Sequence, residues 1–281
     1  MIADRINPAV LVPVHKPTPN DLEIISLRQC GRCLARRPLV LLAPAGLDLS
    51  SYQEFFPSAR VIRVEAKWMN SVHRYNRMMI NPVIYRSVSH HSHILVHEPD
   101  AIVLRDELDF WCEQPYDYIG APWFEGGENA KADAPLLGVG NFGFSLHRPA
   151  VMLKILRERQ RWYGRAELRR DLSRILRAGE ADRLYRLYRV LRGVGKGGTL
   201  RGASKIYELH CDIFWGQLVP RLVRNFRVAP PEVALKFSWE VLPSRCYTLC
   251  NGNLPFGLHA WARYDFGFLK PLLERSGVEL S

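Results

Sequence analysis

Short apolar runs alternate with segments of helical spacing in the first third of the chain. Three of these runs predict buried strands: Ala9–Val14, Pro38–Pro44 and Ala59–Val64. Between the first two, apolar residues recur three or four positions apart after Asn20 and Asp21, either of which suits a helix N-cap. Strand, helix and strand at this spacing predict parallel α/β units.

The middle of the chain continues the same alternation. Tyr75–Tyr85 is predicted to be helical, with an interruption or restart at Pro82, and a buried strand begins at Ile94. A short amphipathic helix is expected over Glu107–Cys112. It is followed by a strand over Tyr116–Phe124 that ends in an aromatic turn.

The strand at Ile94 ends in a polar turn that contains Glu98, Pro99 and Asp100. Ionised groups at the end of a buried strand are costly unless a cation or hydrogen bonds stabilise them. Open α/β sheets bind ligands at the carboxyl ends of their strands, and paired carboxylates suit Mg²⁺ or Mn²⁺ carrying a diphosphate. The alternative is a turn whose acids cap a neighbouring helix.

A glycine-rich segment, Leu137–His147, follows the aromatic turn. Gly140, Asn141 and Gly143 let the backbone approach a ligand closely before the chain returns to a strand. The spacing does not match the dinucleotide-binding fingerprint, and a strand rather than a helix follows. A bulged hairpin is the other interpretation.

Two candidates lie in the last third of the chain. Asp212, close to His210, is at a predicted helix start, where an acid is electrostatically favoured or serves as a general base. Pro231–Glu240 and Asn251–Trp261 are predicted to be binding loops packed on the sheet. His259 lies in the second of these, where a lone histidine is typically packed or at the surface.

The net charge of +11 is concentrated in one segment. Residues 154–205 contain sixteen Lys or Arg and five acids, so the rest of the chain is neutral. Two amphipathic helices with arginine-rich faces are expected here. Such helices favour an anionic membrane surface or nucleic acid, or form a solvated face.

Length and composition support one large domain. With 281 residues and 47% hydrophobic residues, the chain can bury a sizeable core, so we expect a single domain over 1–281 with a basic helical insertion over 150–205. No apolar run is long enough to span a membrane. The start lacks the pattern of a secretion signal. Six cysteines are too few for a disulfide framework, and a lone CxxC is a weak zinc signal, so we expect a cytoplasmic protein.

Six short motifs occur in an order that resembles the metal-dependent GT-A glycosyltransferases. More narrowly, the chain resembles a bacterial family of suspected glycosyltransferases described as a domain of unknown function. The motifs are residues 24–30, 97–101, 118–124, 140–146, 212–215 and 254–261. The resemblance implies a GT-A-like, Rossmann-like fold with a mixed, mostly parallel sheet flanked by helices.

The resemblance also implies roles for individual residues. Glu98, Asp100 and His259 would be the metal ligands, with Glu98 in place of the first Asp of the D-x-D motif. Asp212 would be the catalytic base, because the family's x-E-D motif is here His210-Cys-Asp212. The donor-binding residues would be Pro13, Val14, His15, Asn76, Arg77 and His97. The acceptor-side loop would comprise Trp123, Gly140, Asn141 and Gly143.

The implied reaction is an inverting, Mn²⁺- or Mg²⁺-dependent transfer of a sugar from a nucleotide-sugar donor to a saccharide or lipid-linked saccharide. Among nucleotide sugars, a UDP-sugar is the first candidate donor. Synthesis of cell-surface polysaccharide or glycolipid would place the enzyme at the inner face of the cytoplasmic membrane, held there by its basic segment. Two rival interpretations are a non-catalytic nucleotide-sugar-binding protein with the same shell and, ranked last, a nucleic-acid-binding protein that uses residues 154–205. We therefore expect no nucleic-acid partner.

Overall fold

The protein is described from a computed structural model that covers residues 6–157, 204, 207 and 209–280. Eleven strands lie in this part of the chain: β1 Ala9–Pro13, β2 Leu39–Pro44, β3 Arg60–Val64, β4 Ile94–His97, β5 Ile102–Val103, β6 Tyr118–Ile119, β7 Pro122–Phe124, β8 Leu136–Val139, β9 Phe144–His147, β10 Ser238–Trp239 and β11 Gly257–Leu258.

The helices of the described residues lie between these strands, and the last helix follows β11. They are α1 Asp21–Cys33, α2 Ser50–Gln53, α3 Val72–Met79, α4 Pro82–Ser87, α5 Leu108–Glu113, α6 Pro149–Arg157, α7 Cys211–Ile213, α8 Val219–Leu222, α9 Pro231–Phe237, α10 Pro243–Leu249 and α11 Phe266–Arg275. A π-helical segment, Phe214–Leu218, joins α7 to α8. Short 3-10 helices lie at Ala66–Trp68 and Gly127–Asn129.

The main sheet has six strands in the order β3-β2-β1-β4-β9-β6. The first four are parallel to one another, and β9 runs antiparallel to both β4 and β6. Two smaller sheets are β10-β11-β5 and β7-β8. The predicted α/β class with a mixed, mostly parallel sheet is confirmed.

Both faces of the main sheet are covered, as expected for parallel strands that read as continuous apolar runs. Along β1, Ala9 and Leu11 face one hydrophobic cluster, and Val10 and Val12 face the other. Helices α3, α4 and α6 contribute to the first cluster and α1 to the second. A third cluster contains residues of α10, α11, β10 and β11.

The expected strand over Tyr116–Phe124 is wrong as one element. The structure has two strands, β6 in the main sheet and β7 in a separate hairpin with β8. Between them, a side-chain carbon on Gly120 would overlap the Gly140 carbonyl. The backbone approaches closely here, and the chain leaves one sheet for the other.

The expected binding loop over Pro231–Glu240 is also wrong in its first part. Residues Pro231–Phe237 form α9, with Pro231 at the first helical turn, where its missing N–H costs nothing. Ala234, Leu235 and Phe237 are buried, so their packing in the core stabilises this helix. The chain then enters β10 directly.

The predicted basic insertion lies mostly outside the described residues. Helix α6, Pro149–Arg157, begins the segment. The two predicted arginine-rich helices and the glycine-rich loop that follows them are outside the described part. None of the helices in residues 6–157 and 209–280 has the length and apolar character to cross a bilayer.

Candidate functional site

A cavity of about 930 Å³ opens where β1 and β4 end. Its walls come from the residues after β1, the start of α3, the turn after β4, the β7-β8 hairpin, α7 and the residues after β10 and β11. This is the carboxyl edge of the parallel strands, the position at which open α/β sheets bind ligands.

The turn after β4 presents both predicted carboxylates. The Glu98 N–H donates to the Gly143 carbonyl (2.8 Å), and the Ala101 N–H donates to the Glu98 carbonyl (2.9 Å), which closes the turn before β5. The Tyr75 hydroxyl donates to Glu98 Oε1 (2.8 Å) and fixes that carboxylate from α3. Asp100 is more open, with 53% of its side chain exposed compared with 22% for Glu98.

His259 reaches the same point from the end of β11. Its N–H donates to the Trp239 carbonyl (2.9 Å), continuing the pairing with β10. Its Nε2 atom lies 3.5 Å from Glu98 Oε2 and 3.4 Å from Asp100 Oδ1. Nε2 is buried but makes no well-oriented hydrogen bond.

These three residues could together hold a metal ion. One donor atom from each lies within 4.8 Å of the others, so one ion could contact all three. Carboxylate oxygens and an imidazole nitrogen suit Mn²⁺, and oxygen ligands also suit Mg²⁺. The feature that fits a cation best is a buried Nε2 that has no well-oriented hydrogen bond and faces two carboxylates.

The charges of His259 and the carboxylates around it act strongly on one another. Burial alone lowers the pKa of His259, but interactions with Asp100, Glu240 and Glu98 outweigh burial and raise that pKa well above its usual range. Burial raises the pKa of Asp100, and the contact with His259 more than offsets this, so the net shift is downward. Positive charge is therefore favoured between these carboxylates.

Glu240 connects His259 to the glycine-rich loop. Its Oε1 is 3.1 Å from His259 Nδ1, and its Oε2 accepts from Asn141 Nδ2 (2.6 Å). The Asn141 Oδ1 accepts in turn from the Gly143 N–H (3.1 Å). Asn141 adopts a φ of 58°, which Asn tolerates better than most residues.

Asp212 faces the cavity from the first turn of α7. Its Oδ2 accepts from the Asn141 N–H (3.1 Å), and its Oδ1 accepts from the Ile213 N–H (2.7 Å). Asn76 Oδ1 accepts from the Cys211 N–H (2.6 Å) and so anchors the helix start. Burial raises the pKa of Asp212, and the two backbone N–H groups offset this only in part.

Gly140 and Gly143 permit close packing of side chains. A side-chain carbon on Gly140 would overlap the Trp123 ring, and one on Gly143 would overlap the His259 imidazole. The sequence pattern predicted close approach of the backbone to a ligand. In the structure, the space beside both glycines is filled by the protein's own side chains.

Ten of the predicted site residues line the cavity: Pro13, His15, Asn76, Glu98, Asp100, Trp123, Asn141, Gly143, Asp212 and His259. Four others, Val14, Arg77, His97 and Gly140, are not among its lining residues within the described chain. Val14 and His97 are fully buried. Both ring nitrogens of His97 are without a hydrogen bond to any described residue.

Sequence reasoning missed two residues of the site, Tyr75 and Glu240. Tyr75 lay in a segment predicted to be helical but had no assigned role. Glu240 follows a short strand, as Glu98 does, and an acid directly after a strand was the available signal. Its segment was instead interpreted as a general binding loop.

Comparisons with solved structures retrieve glycosyltransferases at low identity. The apo-form glycosyltransferase GlyE of Streptococcus pneumoniae TIGR4 is 12% identical, and the match covers 97% of this chain and 60% of GlyE with a TM-score of 0.45. The chain thus spans about 60% of the length of the GlyE structures that it matches.

Two further matches have similar scores. A glycosyltransferase involved in glycosylation of the major capsid of PBCV-1 is 10% identical, with 96% of this chain and 99% of that chain covered and a TM-score of 0.39. The galactosyltransferase LgtC, solved with donor and acceptor sugar analogues, is 10% identical, with 95% and 94% covered and a TM-score of 0.44.

The sequence itself gives a family rather than an activity. No curated protein matches it significantly. The family model described as "Protein of unknown function (DUF5672)" matches residues 58–259, well over half of the chain and all of the segment that carries the cavity's three clustered donors. This chain therefore belongs to the DUF5672 family.

Proposed function

We propose that the protein is a metal-dependent glycosyltransferase that moves a sugar from a nucleotide-sugar donor to an acceptor hydroxyl. The observation that carries the proposal is the meeting of Glu98, Asp100 and His259 at the carboxyl edge of a mostly parallel sheet, inside a cavity of about 930 Å³. A bound nucleotide diphosphate fits this position chemically because it brings its own divalent cation.

Glu98, Asp100 and His259 would hold Mn²⁺ or Mg²⁺. When bound, the ion neutralises the diphosphate that leaves the sugar. Pro13 at the end of β1, His15 just after it and Asn76 in α3 lie on the cavity wall. There they would contact the nucleoside part of a UDP-sugar. The cavity encloses enough volume for a ligand of this size.

Asp212 would act as the base for the acceptor hydroxyl. The acceptor oxygen bonds to the anomeric carbon while the bond from that carbon to the diphosphate oxygen breaks, and the hydroxyl proton passes to the Asp212 carboxylate. This single displacement inverts the anomeric centre. Two backbone N–H groups fix the carboxylate, and its raised pKa makes it a stronger base than an exposed aspartate.

The acceptor would lie on the Asp212 side of the cavity, beside Trp123 and Asn141. The indole of Trp123 packs over Gly140 and is partly exposed on the cavity wall. Such a ring offers a flat apolar face for a sugar ring. The proposed acceptor is a saccharide or lipid-linked saccharide in the synthesis of cell-surface polysaccharide or glycolipid. The enzyme would then work at the inner face of the cytoplasmic membrane.

Thermal denaturation with a panel of nucleoside diphosphates and nucleotide sugars, with and without Mn²⁺, tests the donor and the metal. A ligand that binds only the folded state adds about 2.7 kcal/mol to the free energy of unfolding at a concentration 100 times its Kd. Selective binding therefore appears as a rise in Tm. We expect a Mn²⁺-dependent rise with uridine ligands that is lost in Asp100→Ala. It should persist in Asp133→Ala, which removes an exposed acid outside the cavity lining. No rise with any nucleotide would contradict the proposal.

Asp212→Asn separates catalysis from binding. If the protein is a transferase, this variant keeps the nucleotide-dependent rise in Tm but loses sugar transfer, measured as nucleoside diphosphate released in the presence of acceptor. If the wild type and Asp212→Asn release nucleoside diphosphate equally, and added acceptor does not change the release, the protein binds nucleotide sugars without catalysing transfer.

A further inference from the structure

Glu240, on the cavity wall, contacts both a candidate metal ligand, His259, and the loop beside Asp212. Its carboxylate is 19% exposed, and each of its two oxygens has a different partner, Nδ1 of His259 and Nδ2 of Asn141. No motif in the sequence assigned it a role, and it is not one of the three clustered donors.

The direction of the Asn141 side chain is fixed by a second contact. Because Asn141 Oδ1 accepts from the Gly143 N–H, its Nδ2 group must face Glu240, and rotating the amide would lose both hydrogen bonds. The Asn141 backbone N–H donates to Asp212. One continuous series of hydrogen bonds therefore runs from His259 through Glu240 and Asn141 to Asp212.

We propose that Glu240 is a positioning residue that holds His259 with Nε2 towards Glu98 and Asp100. Through Asn141, it also keeps the loop beside Asp212 aligned with that site. The inference rests on the metal site proposed above. A histidine ligand that gives its second N–H to a carboxylate is fixed in ring orientation and becomes a better electron donor. Glu240 stands at the position that this arrangement requires.

The hydrogen bond from His259 Nδ1 to Glu240 determines the orientation of the imidazole ring. Gly143 leaves no space for a side-chain carbon beside the imidazole, so the ring is confined on that face. Its backbone is paired to Trp239, and among the described residues the hydrogen-bond partner of Nδ1 is Glu240. Loss of this contact would free the ring to rotate away from the two carboxylates.

Glu240→Gln tests the proposal through metal binding. Glutamine can accept from His259 Nδ1 with its oxygen, but its NH₂ group then faces the NH₂ group of Asn141, and two donors cannot pair. We expect the Kd for Mn²⁺, measured by electron paramagnetic resonance without any nucleotide, to increase about 10- to 100-fold.

A double variant tests the polarity of the contact. In Glu240→Gln combined with Asn141→Asp, the glutamine NH₂ can donate to the new carboxylate, which still accepts from the Gly143 N–H. Total charge equals that of the wild type, and Asp also tolerates a positive φ. We expect Asn141→Asp alone to weaken Mn²⁺ binding, since two carboxylates would face each other, and the double variant to recover most of the loss, as coupled residues do.

Glu232→Gln is the matched control. Glu232 is exposed on α9, outside the cavity, and its replacement removes the same charge, so Mn²⁺ binding should be unchanged. Glu240→Asp provides a second test if Glu240→Gln does not fold. It keeps the charge, but its shorter side chain can reach only one of the two partners, and it should also bind Mn²⁺ more weakly.

The outcomes separate this inference from the proposed function. Wild-type Mn²⁺ affinity in folded Glu240→Gln and Glu240→Asp, together with loss of binding in Asp100→Ala, would overturn the role of Glu240 and leave the metal site intact. A double variant no better than its single components would also overturn it. A wild-type protein that binds no Mn²⁺ would overturn the metal site and this inference with it.

Discussion

Single residues in this protein gain their chemical meaning from partners that are distant in the sequence. Glu98 and Asp100 could be predicted as a pair because two acids directly after an apolar run form a local pattern. His259 was implied only by family resemblance, since nothing near it distinguishes it from a packed histidine. Glu240 was missed because its role depends on contacts with His259 and Asn141, which only the folded chain brings together.

Gly143→Ala should weaken Mn²⁺ binding at the proposed site. The added methyl group would overlap the His259 imidazole, which must then move away from Glu98 and Asp100. We expect the Kd for Mn²⁺ to increase at least about 10-fold, the lower end seen when a metal ligand loses its support.

The control for this change is Gly138→Ala, in the same glycine-rich segment. A side-chain carbon at position 138 meets no atom within 4 Å, so Mn²⁺ binding should be close to that of the wild type. If Gly143→Ala bound Mn²⁺ as well as Gly138→Ala does, His259 would not be a ligand in the position that the structure gives it.

The pH dependence of transfer should report Asp212. A base must be deprotonated to work, and burial raises the pKa of Asp212. As pH falls, kcat/KM should therefore decline at a higher pH than the value of about 3.9 typical of an exposed aspartate.

Loss of metal at low pH would imitate this effect, so the Kd for Mn²⁺ is measured at each pH and the ion is kept saturating. An acidic limb that remains when Mn²⁺ is saturating supports Asp212 as the base. A rate that stays constant down to pH about 4 would assign the base to another group.

At the scale of elements, the parallel strands were predictable and the connections between sheets were not. Strands β1, β2 and β4 are buried on both faces, so each appears as an apolar run bounded by turn residues. The edge strand β3 is only partly buried. By contrast, β6 and β7 form one apolar and aromatic run in the sequence. They separate because Gly120 meets Gly140, a tertiary contact that the local sequence does not record. Helix α9 was obscured by its proline, which begins the helix rather than breaking it.

Helix α1 supports the site although it contributes no ligand to it. Asn20 and Glu23 form a reciprocal capping box at its start. In its interior, Ser26 accepts a buried hydrogen bond from the Trp261 indole N–H (2.8 Å). The Trp261 backbone N–H also lies 3.4 Å from the Asp100 carbonyl oxygen. The helix thus anchors the segment that carries His259 beside the turn that carries Asp100.

Ser26→Ala should destabilise the protein by about 1–3 kcal/mol, because the buried indole N–H of Trp261 would lose its partner. Urea unfolding at neutral pH measures this change. The matched control is Thr248→Ala, in helix α10. Both hydroxyls donate to the carbonyl four residues earlier at 3.2 Å, Ser26 to Leu22 and Thr248 to Ser244, but the exposed Thr248 supports no indole. Equal free energies of unfolding for the two variants would show that the contact between Ser26 and Trp261 contributes nothing.

At the scale of the whole molecule, the core of the sheet contains histidines that are kept neutral. Burial lowers the pKa of His93 and His97 to about 4 and that of His147 to about 3. His147 is fully buried, with its Nε2 2.8 Å from Ser145 Oγ. In the unfolded chain the same groups titrate near pH 6.5. Between these values the unfolded state binds more protons than the native state does.

The free energy of unfolding should therefore rise with pH between about 4 and 6.5, by up to about 1.4 kcal/mol per pH unit for each such histidine. Urea unfolding at several pH values in this window measures the slope. His147→Gln removes one titrating group while its amide can still donate to Ser145, so the slope should decrease by up to that amount even if the variant is less stable overall. His73→Gln, at an exposed position on α3, should keep the wild-type slope. If His147→Gln has the same slope as the wild type, His147 binds protons equally in both states and does not contribute to the acid sensitivity of the fold.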